Sequence, residues 1–441
     1  MQLPNTGGVT HSAPYPSSRE GWSWVAVLLV SYVCSYLDRQ ILSLLVDPIR
    51  SDLQISDIQF SLLQGFAFAI MYCTFGLLAG AFVDNYSRRV IIVAGVALWS
   101  VMTGLCGLAR DFWQLFAARV GVGVGESSLS PAAYSIMSDC FGPTRLARAM
   151  SVYMCGTAIG AGLSLMIGSS LIALIESFQP YHIPFLGYMK TWQVVFLLLA
   201  LPGLPIAALI WSRREPARVG RTKVEAPSWK AVLSLIVAER HFMLPFLGGM
   251  ICVATVGVAV LSWSPAFLMR VHGQSLAEVG VQLGLIIMVG MVAGLMGGAF
   301  TAESLRRRAN VHGAELKVAA SGIALTALSA TGLLFSSDLA TSQAMLLLLV
   351  MFSQVPIGVA GATLQSLVPN ETRGRISSIY LFLLNGVGAV VGPIAPAMFT
   401  VYVFGDDLRV GTALALSVMI FGSIAATLLW RAIRNLPARI A

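Results

Sequence analysis

The feature that most constrains this chain is its recurrence of long apolar runs. A hydrocarbon core of about 30 Å takes roughly 20 mainly apolar helical residues to cross. Lipid offers the backbone no hydrogen bonds, so each crossing segment has to satisfy its own. Such runs fall at 22–46, 58–83, 90–109, 112–140, 147–175 and 190–212, and again at 241–269, 279–302, 316–337, 341–367, 376–404 and 409–433. The expectation is an all-α polytopic membrane protein with twelve transmembrane helices. Composition agrees, because 57% of the 441 residues are hydrophobic and only 11% are charged, against about a quarter charged in soluble domains. The run from Trp22 to Val46 is too long for a signal-peptide core and lacks a small-residue cleavage site, so it reads as the first span.

Charge sets the orientation. With both ends of the chain on the cytoplasmic side, 21 of the 28 Lys and Arg lie inside, five outside (Arg50, Arg110, Lys190, Arg270, Arg409) and two within spans. That bias follows the positive-inside rule, and the opposite orientation would invert it. A cell membrane location is expected, plasma or bacterial inner, with both termini cytoplasmic. The net charge of +8 sits in short links between apolar runs, not on an aromatic-studded soluble face, which argues against nucleic acid as a partner. The division expected is a disordered tail over 1–21, a six-helix half over 22–212, a cytoplasmic linker over 213–240, a second half over 241–433 and a short tail over 434–441. The linker is read as lying along the inner membrane surface, in contact with membrane lipids.

The sequence gives little support to enzymatic chemistry. His11, His182, His241, His272 and His312 are scattered, the six cysteines form no CxxC pair, and no Walker A pattern is present. No cofactor or metal is expected, ATP is not the energy source, and a monomer is expected.

Two internal repeats pair the halves. GAFVDNYSRR (Gly80–Arg89) recurs as GAFTAESLRRR (Gly298–Arg308), and Arg148-Ala-Met-Ser-Val-Tyr153 recurs as Arg375-Ile-Ser-Ser-Ile-Tyr380, at offsets of 218 and 227 residues. One duplication of a six-span unit accounts for both. This organisation resembles that of major facilitator transporters, in which two parallel repeats enclose a substrate path. Gly80, Asp84, Arg88 and Arg89 also fit that superfamily's G-x-x-x-D-x-x-G-R-R loop, with Ser87 in place of the second glycine. Physically, Asp84 is placed to accept charge-assisted bonds from arginines or a helix N-terminus, so the segment reads as a gating latch. The second copy carries Ala302 at the matching place, followed by Glu303, and is a weaker or differently built latch.

Ionisable groups within spans are costly and so mark function. Asp38 and Arg39 lie in span one, Arg119 and Glu126 in span four. At 1.5 Å per residue, Asp38 lies roughly 24 Å above the cytoplasmic start and Arg119 roughly 10 Å below the outer start, so the two are expected to pair in the outer half. Asp38 reads as proton carrier and Arg119 as its switchable partner. Glu126, two turns deeper, reads as a second protonation site or a ligand for a cationic group, and Arg39 or Arg119 as a holder of an anionic head group. The second half offers Trp263, Gln282, Gln354, Gln365, Tyr380 and Asn385 instead, a wall suited to an amphipathic substrate. Gly121, Gly123 and Gly125, with Gly156, Gly160, Gly162, Gly386, Gly388 and Gly392, permit close helix approach or bending.

Tyr36–Gly65, Gly80–Ser100, Arg119–Phe141 and Thr372–Pro393 together resemble the Spinster family of the major facilitators, most specifically at Asp38, Arg39, Arg119 and Glu126. The resemblance implies a bacterial-type member that exports lipid-like amphipaths such as a sphingoid phosphate or lysophospholipid, coupled to protons. Asp38-Arg-Gln-Ile-Leu-Ser43 also resembles the start of anion symporters for sugar phosphates or hexuronates, the second expectation.

Overall fold

In the computed structural model the described residues are 15–178, 181–183, 187–218, 229–309, 313–367 and 373–436. The outer parts of both expected tails and the centre of the linker lie outside them.

Eleven helices are long and apolar enough to cross a membrane. The expected fourth span is present as two helices, Phe112–Glu126 and Leu129–Cys140, interrupted at Ser127–Ser128. The break has a local cause. Pro131 has no N–H to offer the preceding turn, while Ser127 and Ser128 bond through their hydroxyls to the carbonyls of Val124 and Gly125. Two carbonyls at the break thereby gain side-chain partners. Counting this span, twelve spans are present among the described residues, six before Arg213 and six after Glu239.

In the first half, span one is Ser18–Leu44, span three Arg88–Leu108 and span five Pro143–Glu176. Span two runs from Asp57 through a π-helical turn at Leu62–Phe66 to Asn85. Span six is Thr191–Ala200 continued by Gly203–Trp211, with Pro202 at the break. In the second half, the spans are Arg240–His272, Leu276–Ala309, Ala314–Phe335, Leu339–Leu367, a segment from Arg373 to Phe404, and Val410–Arg434. Span eleven is bent by Pro393 and Pro396 and carries π-helical turns at Leu384–Gly388 and Phe399–Phe404. One departure from an all-helical chain is a small antiparallel hairpin outside span five, Tyr181–Ile183 against Gly187–Met189. Within the linker, Trp229–Ala238 is helical.

The halves meet toward the end of the bundle that carries Leu44, Thr191 and His272. Gly162 of span five and Gly284 of span eight cross so closely that a Cβ on either would lie 2.5 or 2.6 Å from the other's carbonyl oxygen. Only glycine fits both positions in this arrangement, since a real Cβ does not approach an oxygen that far. Gln40 Nε2 donates to the Leu261 carbonyl at 3.0 Å, joining spans one and seven, and Ser61 Oγ donates to the Pro393 carbonyl at 3.0 Å, joining spans two and eleven. These contacts close that end of the bundle between the halves.

Candidate functional site

The four in-membrane charges converge, with pairings that differ from expectation. Arg39 forms the ion pair with Glu126, Nη2 to Oε2 at 2.5 Å and Nε to Oε2 at 2.6 Å. Asp38 is not joined through its carboxylate to Arg119. Its Oδ2 accepts from the Thr103 hydroxyl at 2.8 Å, while Arg119 Nη1 donates to the Asp38 backbone carbonyl at 3.3 Å. The reason is rotational. Successive helical residues point about 100° apart, so Asp38 faces span three, and Arg39 turns toward spans two and four. Arg39 has the reach to meet Glu126 two turns below Arg119. Asp38 Oδ1, Arg119 Nε and Glu126 Oε1 are buried and have no protein hydrogen-bond partner.

Aromatic rings enclose the Arg39 cation. Its guanidinium carbon lies 4.6 Å from the Phe68 ring centre, 4.7 Å from Tyr72 and 5.3 Å from Tyr36. Each such contact is worth about 0.5–2 kcal/mol, more where water is excluded. Gly123 makes the box possible, because a Cβ there would lie 2.5 Å from the Phe68 carbonyl. The Arg39 side chain is still 21% exposed, whereas that of Glu126 is fully buried. Tyrosines continue inward from the box. Tyr32 stacks on Tyr153 and meets Tyr36 edge-on, and Tyr134 packs edge-on against Tyr153.

Across the path, Tyr380 stacks on Phe246 with centres 6.1 Å apart. Asn385 is exposed on the π-helical turn and donates to the Leu381 carbonyl, and Gln354 is buried against Gly294. Gln282 accepts from Gln274 and Gln343 near the N-terminal end of span eight, away from the central charges. The Gln365 side chain lies outside the described residues. Trp263 is 1% exposed, and its indole N–H is committed to the Pro393 carbonyl at 2.8 Å.

At one end of the bundle the arginines of the repeated loop hold a different set of partners from that expected. Gly80 and Asp84 sit in the last turns of Ala67–Asn85, but their surroundings lie outside the described residues. Arg88 is fully buried between Asp139 and Glu215, donating to both and to the carbonyls of Ser135 and Pro216. Glu215 also accepts from the Ser87 hydroxyl and the Arg88 backbone N–H, capping span three. Burial pushes this carboxyl up, but the bonds from Ser87 and Arg88 outweigh it and hold it below the usual range. Arg89 donates to the carbonyls of Trp211 and Arg213, and Arg218 to those of Val83 and Tyr86 at the end of span two. Residues 213–218 thus strap the adjacent ends of spans two, three and six together.

At the opposite end of the bundle a cluster of five charges spans both halves. Arg270, ending span seven, donates to Asp47 at 2.7 and 3.0 Å and to Asp57 at 3.0 and 3.1 Å. Arg50 meets Asp57 at 2.9 Å and, crossing to the other half, Asp407 at 2.9 Å. Local structure sets this up. Gln54 adopts φ 53°, ending the helix Val46–Leu53, and Ser56 with Gln59 forms a capping box that starts the next helix at Asp57. The chain therefore folds back with Asp47 and Asp57 on either side of Arg50.

The family model for the Major Facilitator Superfamily matches residues 28–393. The chain belongs to the Major Facilitator Superfamily. Within this superfamily it is similar to an "MFS-type efflux pump" of Mycolicibacterium smegmatis, 29% identical over 98% of this chain and 97% of that protein. It is also similar to "Protein spinster" of Drosophila melanogaster, 27% identical over 88% of this chain and 64% of that longer protein. A third relative is a "Hexuronate transporter" of Bacillus subtilis, 25% identical over 84% of this chain and 85% of that one. Among solved structures, a bacterial homologue of the human lysosomal transporter Spinster, described as inward-facing and unoccupied, superposes with TM-score 0.81. The identity is 23%, covering 95% of this chain and 98% of that one.

This major facilitator is therefore a multi-pass membrane transporter with Spinster homology, and its family and structural neighbours are transporters rather than enzymes. Sequence reasoning missed Thr103, Asp139, Glu215 and the outer cluster. Arg50 and Arg270 were counted only as the exceptions to the charge bias, yet two arginines on the disfavoured side were the available signal.

Proposed function

We propose that this chain is a secondary active transporter that exports an amphipathic, lipid-like anion, of sphingoid phosphate or lysophospholipid type, by alternating access coupled to protons. The observation that carries this reading is Arg39. A partly exposed guanidinium, set in an aromatic box beside a buried carboxylate, presents a charge-assisted fork for a phosphate and ring faces for adjoining carbon. Tyr380, Phe246 and Gln354 of the second half are buried in this state and are assigned to the apolar part of the substrate as the halves part, while exposed Asn385 adds a polar contact. Glu126 is the resident anion of Arg39, and a substrate head group takes its place on the guanidinium as Glu126 withdraws or takes a proton.

Asp38 is assigned as proton carrier. One carboxylate oxygen is held by Thr103 and the other is buried without a donor, so it is placed to take a proton at little geometric cost. Arg119, on the neighbouring carbonyl, is the positive neighbour whose movement retunes that carboxylate. The latch of Gly80, Asp84, Arg88 and Arg89 and the strap at residues 213–218 guard the inner end. A monomer with halves 22–212 and 241–433, both termini cytoplasmic and a plasma or inner membrane location, completes the reading. Export accords with the relative named as an efflux pump.

A second reading, proton-coupled transport of a hexuronate or sugar phosphate, is favoured by the hexuronate transporter relative and uses the same Arg39. Native mass spectrometry of ligands retained by the purified protein separates the two. Retained lysophospholipid or sphingoid phosphate is expected, whereas small hydrophilic anions alone would replace the first reading by the second.

A further inference from the structure

Where the strap begins, Arg89, Arg213 and Arg214 carry positive charge that no carboxylate balances. Arg89 lies in the first turn of span three, and the other two follow the last turn of span six. None of the three is in an ion pair among the described residues. Glu215, next in the chain, is already held by Ser87 and Arg88. Arg89 uses Nη1 alone for the carbonyls of Trp211 and Arg213, and Arg213 uses Nη1 for the Ser23 hydroxyl of span one. The Nε of each has no hydrogen-bond partner among the described residues. An unmet guanidinium donor is costly, and a phosphate oxygen arriving at this surface is the acceptor that its fork fits.

The surface beside these cations is apolar. Spans three and six run antiparallel in close contact, since a Cβ on Gly107 would lie 2.5 Å from the Gln193 carbonyl oxygen and one on Gly203 would strike the Ser100 hydroxyl. Val90, Ala94, Ala97 and Val101 of span three are exposed at every third or fourth position, hence along one stripe. Leu204 and Ala208 are exposed on span six. The alanines leave a shallow trough along this face. Trp211, 54% exposed, stands where the trough meets the arginines, with its ring centre 4.9 Å from the Arg89 guanidinium carbon. Tryptophan favours such a boundary between apolar and charged surroundings.

We propose that this face is a binding site for an anionic membrane phospholipid. Its phosphate sits on Arg89 and Arg213 in the field of Arg214, and an acyl chain lies in the trough between Val90 and Val101. Trp211 is a positioning residue that holds the Arg89 guanidinium. An anionic head is required because a zwitterionic one brings its own cation to a place that already holds three. The lipid bridges span one, span three and the end of span six, and so stabilises the strap. The site lies on the exposed flank of the first half, apart from the Arg39–Glu126 pair, and does not rest on the transport reading.

Native mass spectrometry of the delipidated full chain, offered equal phosphatidylglycerol and phosphatidylcholine, tests this. The unmodified protein is expected to retain phosphatidylglycerol about 25-fold over phosphatidylcholine, a factor of about five for each arginine on the phosphate. Arg213→Gln is expected to lower the ratio about fivefold, and Arg89→Gln with Arg213→Gln to bring it close to one. Ala97→Phe, which fills the trough and keeps every charge, is expected to lower phosphatidylglycerol retention as well. Arg145→Gln, which removes an exposed charge that bonds to Ser18 instead, and Arg39→Gln in the central site are expected to leave the ratio unchanged. Thermal unfolding in phosphatidylcholine checks that each variant is folded. Phosphatidylglycerol is expected to raise the unfolding temperature of the unmodified protein but not of the double variant, and inorganic phosphate to raise neither. Equal retention of the two lipids by the unmodified protein, or equal losses in Arg145→Gln and Arg213→Gln, would overturn the site. A rise with inorganic phosphate equal to that with phosphatidylglycerol would replace the lipid by a free anion, and a loss in Arg39→Gln would move the lipid to the central path.

Discussion

Replacing Glu126 by Gln isolates the Arg39–Glu126 pair. The substitution keeps volume and removes the carboxylate that holds two guanidinium nitrogens at 2.5 and 2.6 Å. Breaking a buried ion pair costs about 3–5 kcal/mol, because one charge stays behind uncompensated. Here the low end applies, since Phe68 and Tyr72 still face the cation and Arg39 is partly exposed. Arg39→Gln strands the opposite charge, Glu126, whose side chain is fully buried, so its cost is expected to be at least as large. The double variant strands neither. A double-mutant cycle on thermal unfolding in detergent, at matched scan rate, is the assay. The double variant is expected to unfold at a higher temperature than either single, with a coupling of about 2 kcal/mol or more. Additivity within about 0.5 kcal/mol would refute the argument that the two groups are held by each other rather than by their separate surroundings.

Three further outcomes follow from other parts of the molecule. Gly284→Val puts side-chain atoms where the Gly162 carbonyl already sits 2.6 Å from a Cβ, a penalty of about 1–3 kcal/mol paid only while the outer side is closed. Hydrogen–deuterium exchange over residues 158–168 of span five should rise about five- to 150-fold in this variant, and exchange equal to the unmodified protein would contradict the crossing. Glu215 binds its partners as a carboxylate with its pKa depressed from 4.5. The stability it lends is full above that ordinary value and lost as pH falls through the lower folded value. Glu215→Gln should therefore flatten the acid limb of the stability profile, and an unchanged limb would remove the strap. A tag on either end of the chain should be reached by protease only in inside-out vesicles, and cleavage in right-side-out vesicles would reverse the orientation.

The spans were legible because lipid leaves one way to satisfy a backbone, so hydropathy located most helix ends to within a few residues, although span eight runs seven residues past its expected end and the break in the fourth span left no hydropathy signal. The convergence of Asp38, Arg39, Arg119 and Glu126 was legible for the same reason, since charge in a span needs company. Who pairs with whom was not. Depth along a helix is set by residue number, but azimuth decides partners, and the step from Asp38 to Arg39 turns the side chain from Thr103 toward Glu126. The charge cluster between the halves was hidden differently. Its parts come from positions 47, 50, 57, 270 and 407, which no local pattern connects. The strap was hidden by its ordinary appearance, because a charged linker after span six reads as solvated until Glu215 is seen capping span three.

The central claim, that Asp38 carries the coupling proton, is tested most directly by substrate-driven proton movement in proteoliposomes containing Asp38→Asn. Carboxyl and carboxamide have the same shape, so the bond from Thr103 can persist while the titrating group is gone. The account predicts that proton movement is abolished while substrate exchange across the membrane continues. Proton flux undiminished in Asp38→Asn would contradict it.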